Sequence, residues 1–309
     1  MRAFEAAARR GNFARAADEL SVTAAAVSHR IKELEAALDA QLFVREARGV
    51  RLTKAGERYL VGIARAFDEI ERATAQVGES SVDGPLKVSM PQSFAQVWFA
   101  ARAARLVQRW PGLVLTVEGD SRLADLRRGT VDIGLRFGSG VYAGLHSQPL
   151  MADAVTVLAA PSFMQRHEGL SFAELLAQAP LLEDAGVAAG EASSTWGPWL
   201  REAGVRAQPG FRRLYFSDSA MMLAACQASA GLCVGRVSVA FAALQRRELQ
   251  PLLPWRSSEF AYYLVTRPAD TDNPRILAFR TWLQEEIRDF SDSVARALGV
   301  MLSLSASSG

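Results

Sequence analysis

The chain has 309 residues, half of them hydrophobic, and carries 35 Lys and Arg against 33 Asp and Glu, a formal charge of +2. That length exceeds one typical domain and can bury at least two cores. No run of about 18 apolar residues offers a membrane span, and two cysteines are too few for a disulfide framework. The N-terminus lacks the apolar core of a signal peptide, so the expected setting is the cytoplasm.

In chain order, the first pattern is FARAADELSVTAAAVSHRIKELEAAL, Phe13 to Leu38. Phe13, Ala16, Ala17 and Leu20 share one helical face. Ser21-Val22-Thr23 breaks the pattern, and Thr23 is placed to cap a second helix. There Val27, Ile31, Leu34 and Leu38 form the inward stripe, which leaves Ala25, Ser28, His29 and Lys32 outward. Small residues followed by hydrogen-bonding and cationic ones suit a helix entering a DNA major groove. The plainer alternative is a helical hairpin with a merely solvated face. Leu42 and Phe43 read as core residues closing a three-helix unit begun by Phe4. Arg45 to Thr53 then reads as two extended pieces turning near Gly49. Such a wing would carry Arg45, Arg48 and Arg51 to phosphates beside the groove. Residues 1–60 hold eleven Lys and Arg against eight Asp and Glu, a polarity that agrees with a nucleic-acid partner.

Taken together, these residues resemble the winged helix-turn-helix of the LysR-type transcriptional regulators. The matching set is Phe13, Ala16-Ala17, Leu20, Ala26-Val27-Ser28, Ile31, Leu34-Glu35, Leu42-Phe43, Arg45, and Leu52-Thr53 followed by Gly56. The resemblance implies that Ser28, His29 and Lys32 face DNA and that Arg45 sits near the backbone. Two positions depart from the pattern: Ala24 stands where the family often has Gln, and Asp39 where Gly is usual.

From Lys54 to Val77 the pattern is one long helix. Leu60, Ile63, Phe67, Ile70, Thr74 and Val77 form a seam near coiled-coil spacing, while Arg65, Asp68, Glu69, Glu71 and Arg72 cover the other faces. The alternative is a surface helix packed on its own domain. Two recognition helices must stand about one DNA turn apart, roughly 34 Å, to read a symmetric site. A linker helix of this kind does that in the family.

Gly78 and Asp83-Gly84-Pro85 mark a boundary. Beyond it, strands at Leu86–Met90, Leu113–Glu118 and Val131–Phe137 alternate with helices, one running through about Arg109 and a short one over Ser121–Arg128. This implies a parallel sheet with helices on both faces. Ala154–Ala160 and Phe260–Thr266 read as strands at two crossings between lobes. Trp196-Gly197-Pro198-Trp199-Leu200, Phe216-Ser217-Asp218-Ser219, Ala261-Tyr262-Tyr263-Leu264-Val265 and Phe279-Arg280-Thr281-Trp282-Leu283 extend the resemblance to about residue 290. They match the branch containing the glycine-cleavage activator and the β-lactamase regulator.

The expected fold is therefore α plus α/β. Residues 1–59 form the winged helix-turn-helix and 60–84 the linker and dimerisation helix with its hinge. Residues 85–291 form a two-lobed effector domain like periplasmic binding proteins, with lobe I over 86–159 and 268–291 and lobe II over 160–267. Residues 292–309 form a disordered tail.

A ligand in such a fold lies at strand carboxyl ends beside helix N-termini. Ser93, Ser217 and Ser219 fall there, Arg136 could add a counter-charge, and Tyr263 could close the site. Hydroxyls at two helix starts suit a small anion, although each residue could equally be an ordinary cap, and Asp218 opposes an anion unless it only caps its helix. No nucleophile, metal or phosphate motif is present, so no enzyme activity and no cofactor is expected. Cys226 and Cys233 read as buried hydrophobes in preference to a redox pair. The resemblance implies a dimer or tetramer on a promoter inverted repeat, a small-molecule effector, contact with RNA polymerase, and no membrane partner. The rival readings are a constitutive DNA binder with a vestigial pocket and a DNA-binding head fused to a catalytic α/β domain.

Overall fold

A computed structural model describes residues 1–46, 49–76, 81–119, 124–127, 129–186, 191–205 and 212–302. The chain divides into two compact units, the first over Met1–Glu79 and the second over most of the remainder.

The first unit opens with α1 (Arg2–Arg10), α2 (Phe13–Glu19) and α3 (Ala24–Leu38). Each boundary has a local cause. Gly11 ends α1 in the left-handed region, and Asn12 caps α2 by accepting from the amides of Ala14 and Arg15. Thr23 Oγ1 accepts from the Ala26 amide at 3.2 Å and starts α3. Phe4, Ala16, Ala17, Val27, Ile31, Leu42 and Phe43 form the core. Leu34 is half-buried, but Leu38 is exposed, so the inward stripe of α3 stops a turn early. The antiparallel wing pairs β1 (Phe43–Glu46) with β2 (Gly49–Leu52). Gly49 is required where it stands: its φ is +152°, and a Cβ there would lie 2.3 Å from the Gly11 carbonyl oxygen.

α4 (Lys54–Gln76) is the long helix. On it Ile63 is buried, Leu60 and Phe67 are half-buried, and Val61 and Ile70 are exposed. The side chains of Arg65, Asp68, Glu69, Glu71, Arg72 and Thr74, and all of Val77 and Gly78, lie outside the described residues.

The second unit runs β3 (Gly84–Met90), a π-helical turn at Phe94–Phe99, α5 (Ala103–Arg109), β4 (Leu113–Gly119), α6 (Ala124–Arg127), β5 (Ile133–Gly138) and β6 (His146–Ala159). It continues with α7 (Pro161–Arg166), α8 (Phe172–Gln178), β7 (Leu181–Asp184), α9 (Trp196–Glu202), β8 (Arg213–Phe216), α10 (Ser219–Gln227) and β9 (Leu232–Arg236). α11 (Val237–Gln245), β10 (Gln250–Pro251), β11 (Arg256–Thr266) and α12 (Pro274–Leu298) complete it. Of the short helix expected over Ser121–Arg128, residues 121–123 and Arg128 lie outside the described residues.

One sheet joins both lobes, in the order β4-β3-β5-β11-β6-β9-β7-β8. The expectation of a parallel sheet holds only within each lobe, where β4-β3-β5 and β8-β7-β9 repeat the same order. Between them β6 and β11 pair antiparallel with each other and with their neighbours, so the whole sheet is mixed. Both crossing strands begin earlier than the sequence implied, at His146 and Arg256. The reason is that they pair through most of their length, including polar residues that no apolar pattern marks.

The expected disordered tail from residue 292 is corrected. α12 continues to Leu298 because Val294 extends the buried stripe of Leu283, Ile287 and Phe290, and Gly299 caps it at φ 67°. Val300 and Leu302 are buried beyond the cap, and the Ala152 amide donates to the Leu302 carbonyl at 3.2 Å. Residues 303–309 lie outside the described residues.

Candidate functional site

The DNA-facing reading rests on α3 and the wing. Ala25, His29 and Lys32 are exposed, Ser28 is half-buried beside them, and Thr23 is exposed at the cap. His29 Nδ1 stands 3.5 Å from Glu33 one turn on, so its ring has a carboxylate neighbour within its own helix. Arg51 is exposed on β2, and its guanidinium donates to the Leu52 carbonyl at 3.4 Å. Arg45 lies on β1, but its side chain, like the whole of Arg48, lies outside the described residues. Glu35, which the sequence offered only as part of the matching pattern, accepts through Oε1 from the amides of Leu42 at 2.7 Å and Phe43 at 3.1 Å. One carboxylate thereby ties the start of the wing to the last turns of α3.

In the second unit a cavity of about 340 Å³ opens where the carboxyl ends of six strands converge. From lobe I come Pro91, Gln92 and Ser93 after β3, Gly119 at the end of β4, and Phe137 near the end of β5. From lobe II come Asp184 at the end of β7 and Gly186 after it, Glu191, Ser217 to Ser219 after β8, and Arg236 at the end of β9. Parallel strands in both lobes present their carboxyl ends to one crevice, where open α/β sheets bind ligands.

Three of the five expected ligand residues, Ser93, Ser217 and Ser219, line this cleft. Arg136 and Tyr263 do not. They are directly paired across β5 and β11, and alternation along the strands puts both on the sheet face opposite Phe137 and Tyr262. Arg136 donates instead to the Ser89 carbonyl at 3.0 Å, the Leu135 carbonyl at 2.7 Å and Ser89 Oγ at 2.6 Å. Tyr263 packs with Leu126, Val131, Val265 and Tyr142. The guanidinium of the site is Arg236, one face of which lies 4.3 Å from the Phe137 ring centre. Its position as the cation ending the apolar run Leu232–Gly235 was the available signal.

Arg236 Nη2 donates to Ser219 Oγ at 3.0 Å, and that hydroxyl donates to Asp184 Oδ2. Nη1 stands 3.5 Å from Glu191 Oε1, which also accepts from Ser194. Burial works against the charge on Arg236, but Tyr262, Glu191, Asp153 and Asp184 outweigh it and hold the guanidinium above its ordinary range. Burial pushes Glu191 up, opposed by Arg236. Behind the cleft, Asp153 accepts from the Ala154 amide at 2.8 Å, the Ser238 amide at 3.2 Å and the Ser238 hydroxyl at 2.5 Å. Tyr262 OH stands 3.0 Å from the same hydroxyl. Burial pushes Asp153 up to about 6, against the pull of Arg236 and Ser238.

Cys226 and Cys233 are both fully buried in lobe II. The hydrogen bond with Cys226, together with burial, pushes the Cys233 thiol well up, away from the reactive thiolate. Among the described residues no group of His, Cys, Asp and Glu could hold a metal ion, and no helix is long and apolar enough to cross a membrane.

The two sites correspond to two recognised sequence families. Residues 1–57 match the bacterial regulatory helix-turn-helix protein, lysR family, and residues 79–288 match the LysR substrate binding domain. The glycine cleavage system transcriptional activator of Escherichia coli strain K12 is 32% identical over 284 residues, 92% of this chain and 91% of its own. The transcriptional activator AmpR of Pseudomonas aeruginosa is 30% identical over 286 residues, 92% of this chain and 94% of its own. In fold, ArgP from Mycobacterium tuberculosis superimposes with a TM-score of 0.59 at 23% identity, over 92% of this chain and 95% of that one. Matched in both its halves and along nearly all its length, this chain belongs to the LysR family of transcriptional regulators.

Proposed function

We propose that this regulator binds a promoter inverted repeat as a dimer or tetramer and is switched by a small molecule held in the cleft between its lobes. The observation that carries the reading is the convergence of six strand ends on one small, polar cleft, in a chain that also presents a capped recognition helix. Thr23, Ala25, Ser28, His29 and Lys32 on α3, with Arg45, Arg48 and Arg51 on the wing, are the proposed DNA contacts. Residues 1–59 form the reading head. α4 with the hinge to residue 84 is the dimerisation element; at about 1.5 Å per residue it spans roughly one DNA turn. Residues 85–302 form the effector domain. The protein works in the cytoplasm, contacts RNA polymerase, and carries no catalytic activity of its own.

Ligand acts on DNA binding only through different affinities for two arrangements of the protein. Lobes joined by two long strands, β6 and β11, supply the element for such a change. The test is a footprint of the full chain on the region beside its own gene, with salt varied. Protection of about two helical turns around an inverted repeat supports the reading. Lys32→Ala should then flatten the salt dependence by about one unit of slope. Absence of specific protection at moderate salt on any genomic fragment would remove the DNA-binding reading.

A further inference from the structure

Among the described residues the two walls of the cleft differ in charge: lobe I contributes Gln92, Ser93 and Phe137, none of them ionisable, whereas lobe II contributes Asp184, Glu191, Asp218 and Arg236. One guanidinium stands among three carboxylates, and it is already engaged with Glu191 and, through Ser219, with Asp184. Among these described side chains a simple anion meets more carboxylates than cations, so a ligand that also carries a positive group is better matched.

Two further observations concern groups without partners. Ser93 is 2% exposed and lines the cleft, yet its hydroxyl makes no hydrogen bond with any described residue and does not cap its own helix. Arg236 Nε is buried and also without a hydrogen-bond acceptor. A buried donor such as this Nε is normally satisfied, so it calls for an acceptor, and the free Ser93 hydroxyl beside the cleft can serve the same group. On the other side, Asp218 uses one oxygen to cap α10 at the Ala220 amide, 2.8 Å away, and leaves the other unbonded among the described residues. Asp184 accepts one bond on each oxygen, from Ser219 and from the Gly186 amide, and retains further lone pairs.

Resting on the reading of this cleft as the effector site, we propose that its ligand is a small zwitterion of the α-amino-acid class. Its ammonium group is held by Asp184 and Asp218, and its carboxylate by Ser93 and Arg236. Unsatisfied donors and unsatisfied acceptors in one cavity require both kinds of group in one molecule. The volume of about 340 Å³ lies at the low end for ligand cavities and suits a molecule of this size.

The test is thermal shift and titration calorimetry on the full chain with the common α-amino acids in both enantiomers. For the amino acid with the largest effect, its deaminated acid and its decarboxylated amine are measured alongside. At least one amino acid should bind, and each truncated analogue should bind about tenfold or more weakly. Ser93→Ala and Asp184→Asn, with folding checked by circular dichroism, should each weaken the amino acid about tenfold. An acid or an amine alone that binds as well as the amino acid overturns the proposal, as does the absence of binding by every amino acid. If an amino acid binds but Ser93→Ala leaves its affinity unchanged, the site lies elsewhere and the cleft reading itself falls.

Discussion

Arg236 and Asp184, from the ends of two strands of lobe II, are joined through a single hydroxyl, that of Ser219, which accepts from the guanidinium at 3.0 Å and donates to the carboxylate. Ser219 opens α10, so strand ends and helix start are fixed to one another at the cleft. Any ligand that pulls on the carboxylate or the guanidinium acts on the whole wall.

Replacing Arg236 by Met removes the cation that Glu191, Asp153 and Asp184 face. Leaving buried carboxylates without their partner should cost about 3 kcal/mol. The expected result is a clearly lower urea midpoint with the slope unchanged. A midpoint within error of the parent would mean that Arg236 contributes little to holding the lobe together.

Asp153 gives a pH signature. Its folded value is pushed up to about 6 from 3.8, so between those values the folded state holds the proton more tightly than the unfolded one. Stability from this group is therefore present at low pH and is lost as pH rises from about 4 through 6, a fall of roughly 3 kcal/mol. Asp153→Asn removes that fall. Denaturation curves taken at pH 4 and pH 7 should show the variant gaining on the parent by this amount. Parallel pH profiles would show that Asp153 keeps an ordinary value.

Glu35 should matter to DNA binding without touching DNA. Glu35→Ala frees the amides of Leu42 and Phe43 at the start of the wing. A loss of about 2 kcal/mol is expected in the first unit, with weaker binding to specific and random DNA alike. Glu35→Gln, which retains an acceptor, should recover most of it. Selective loss at the specific operator would instead make Glu35 a reader of sequence.

Asp39 caps α3 at φ 47°, ψ 41°, a left-handed conformation that costs a residue with a Cβ about 1 kcal/mol. Asp39→Gly should therefore raise the melting temperature of the reading head by a few degrees. A lower melting temperature would show that the carboxylate itself stabilises the turn.

The helix-turn-helix and the long helix were legible because their signals are local. The cap at Thr23, the apolar stripe of Val27 and Ile31, and the spacing along α4 all act within a few residues. The placement of Ser93, Ser217 and Ser219 at the cleft was legible because Ser93 follows an apolar strand and Ser217 to Ser219 lead into the start of α10. Arg136 lies away from the cleft for an equally simple reason. It ends its strand as Arg236 does, but successive strand residues face opposite sides, and only the pairing with β11 decides which side is the cleft.

By itself, then, the sequence determined the two-unit plan, the helix-turn-helix with its wing, the long helix and the first strands of the second unit, since each depends on short-range periodicity and capping. Tertiary structure alone decided the mixed order of the single sheet, the course of α12 to Leu298, and the charge of the cleft. Those depend on residues far apart in the chain: Asp153, Asp184, Glu191 and Arg236 become one electrostatic group only when strands of one lobe and the crossing strands are paired. Coulombic and hydrogen-bond energies follow distance in space, and no one-dimensional pattern records it.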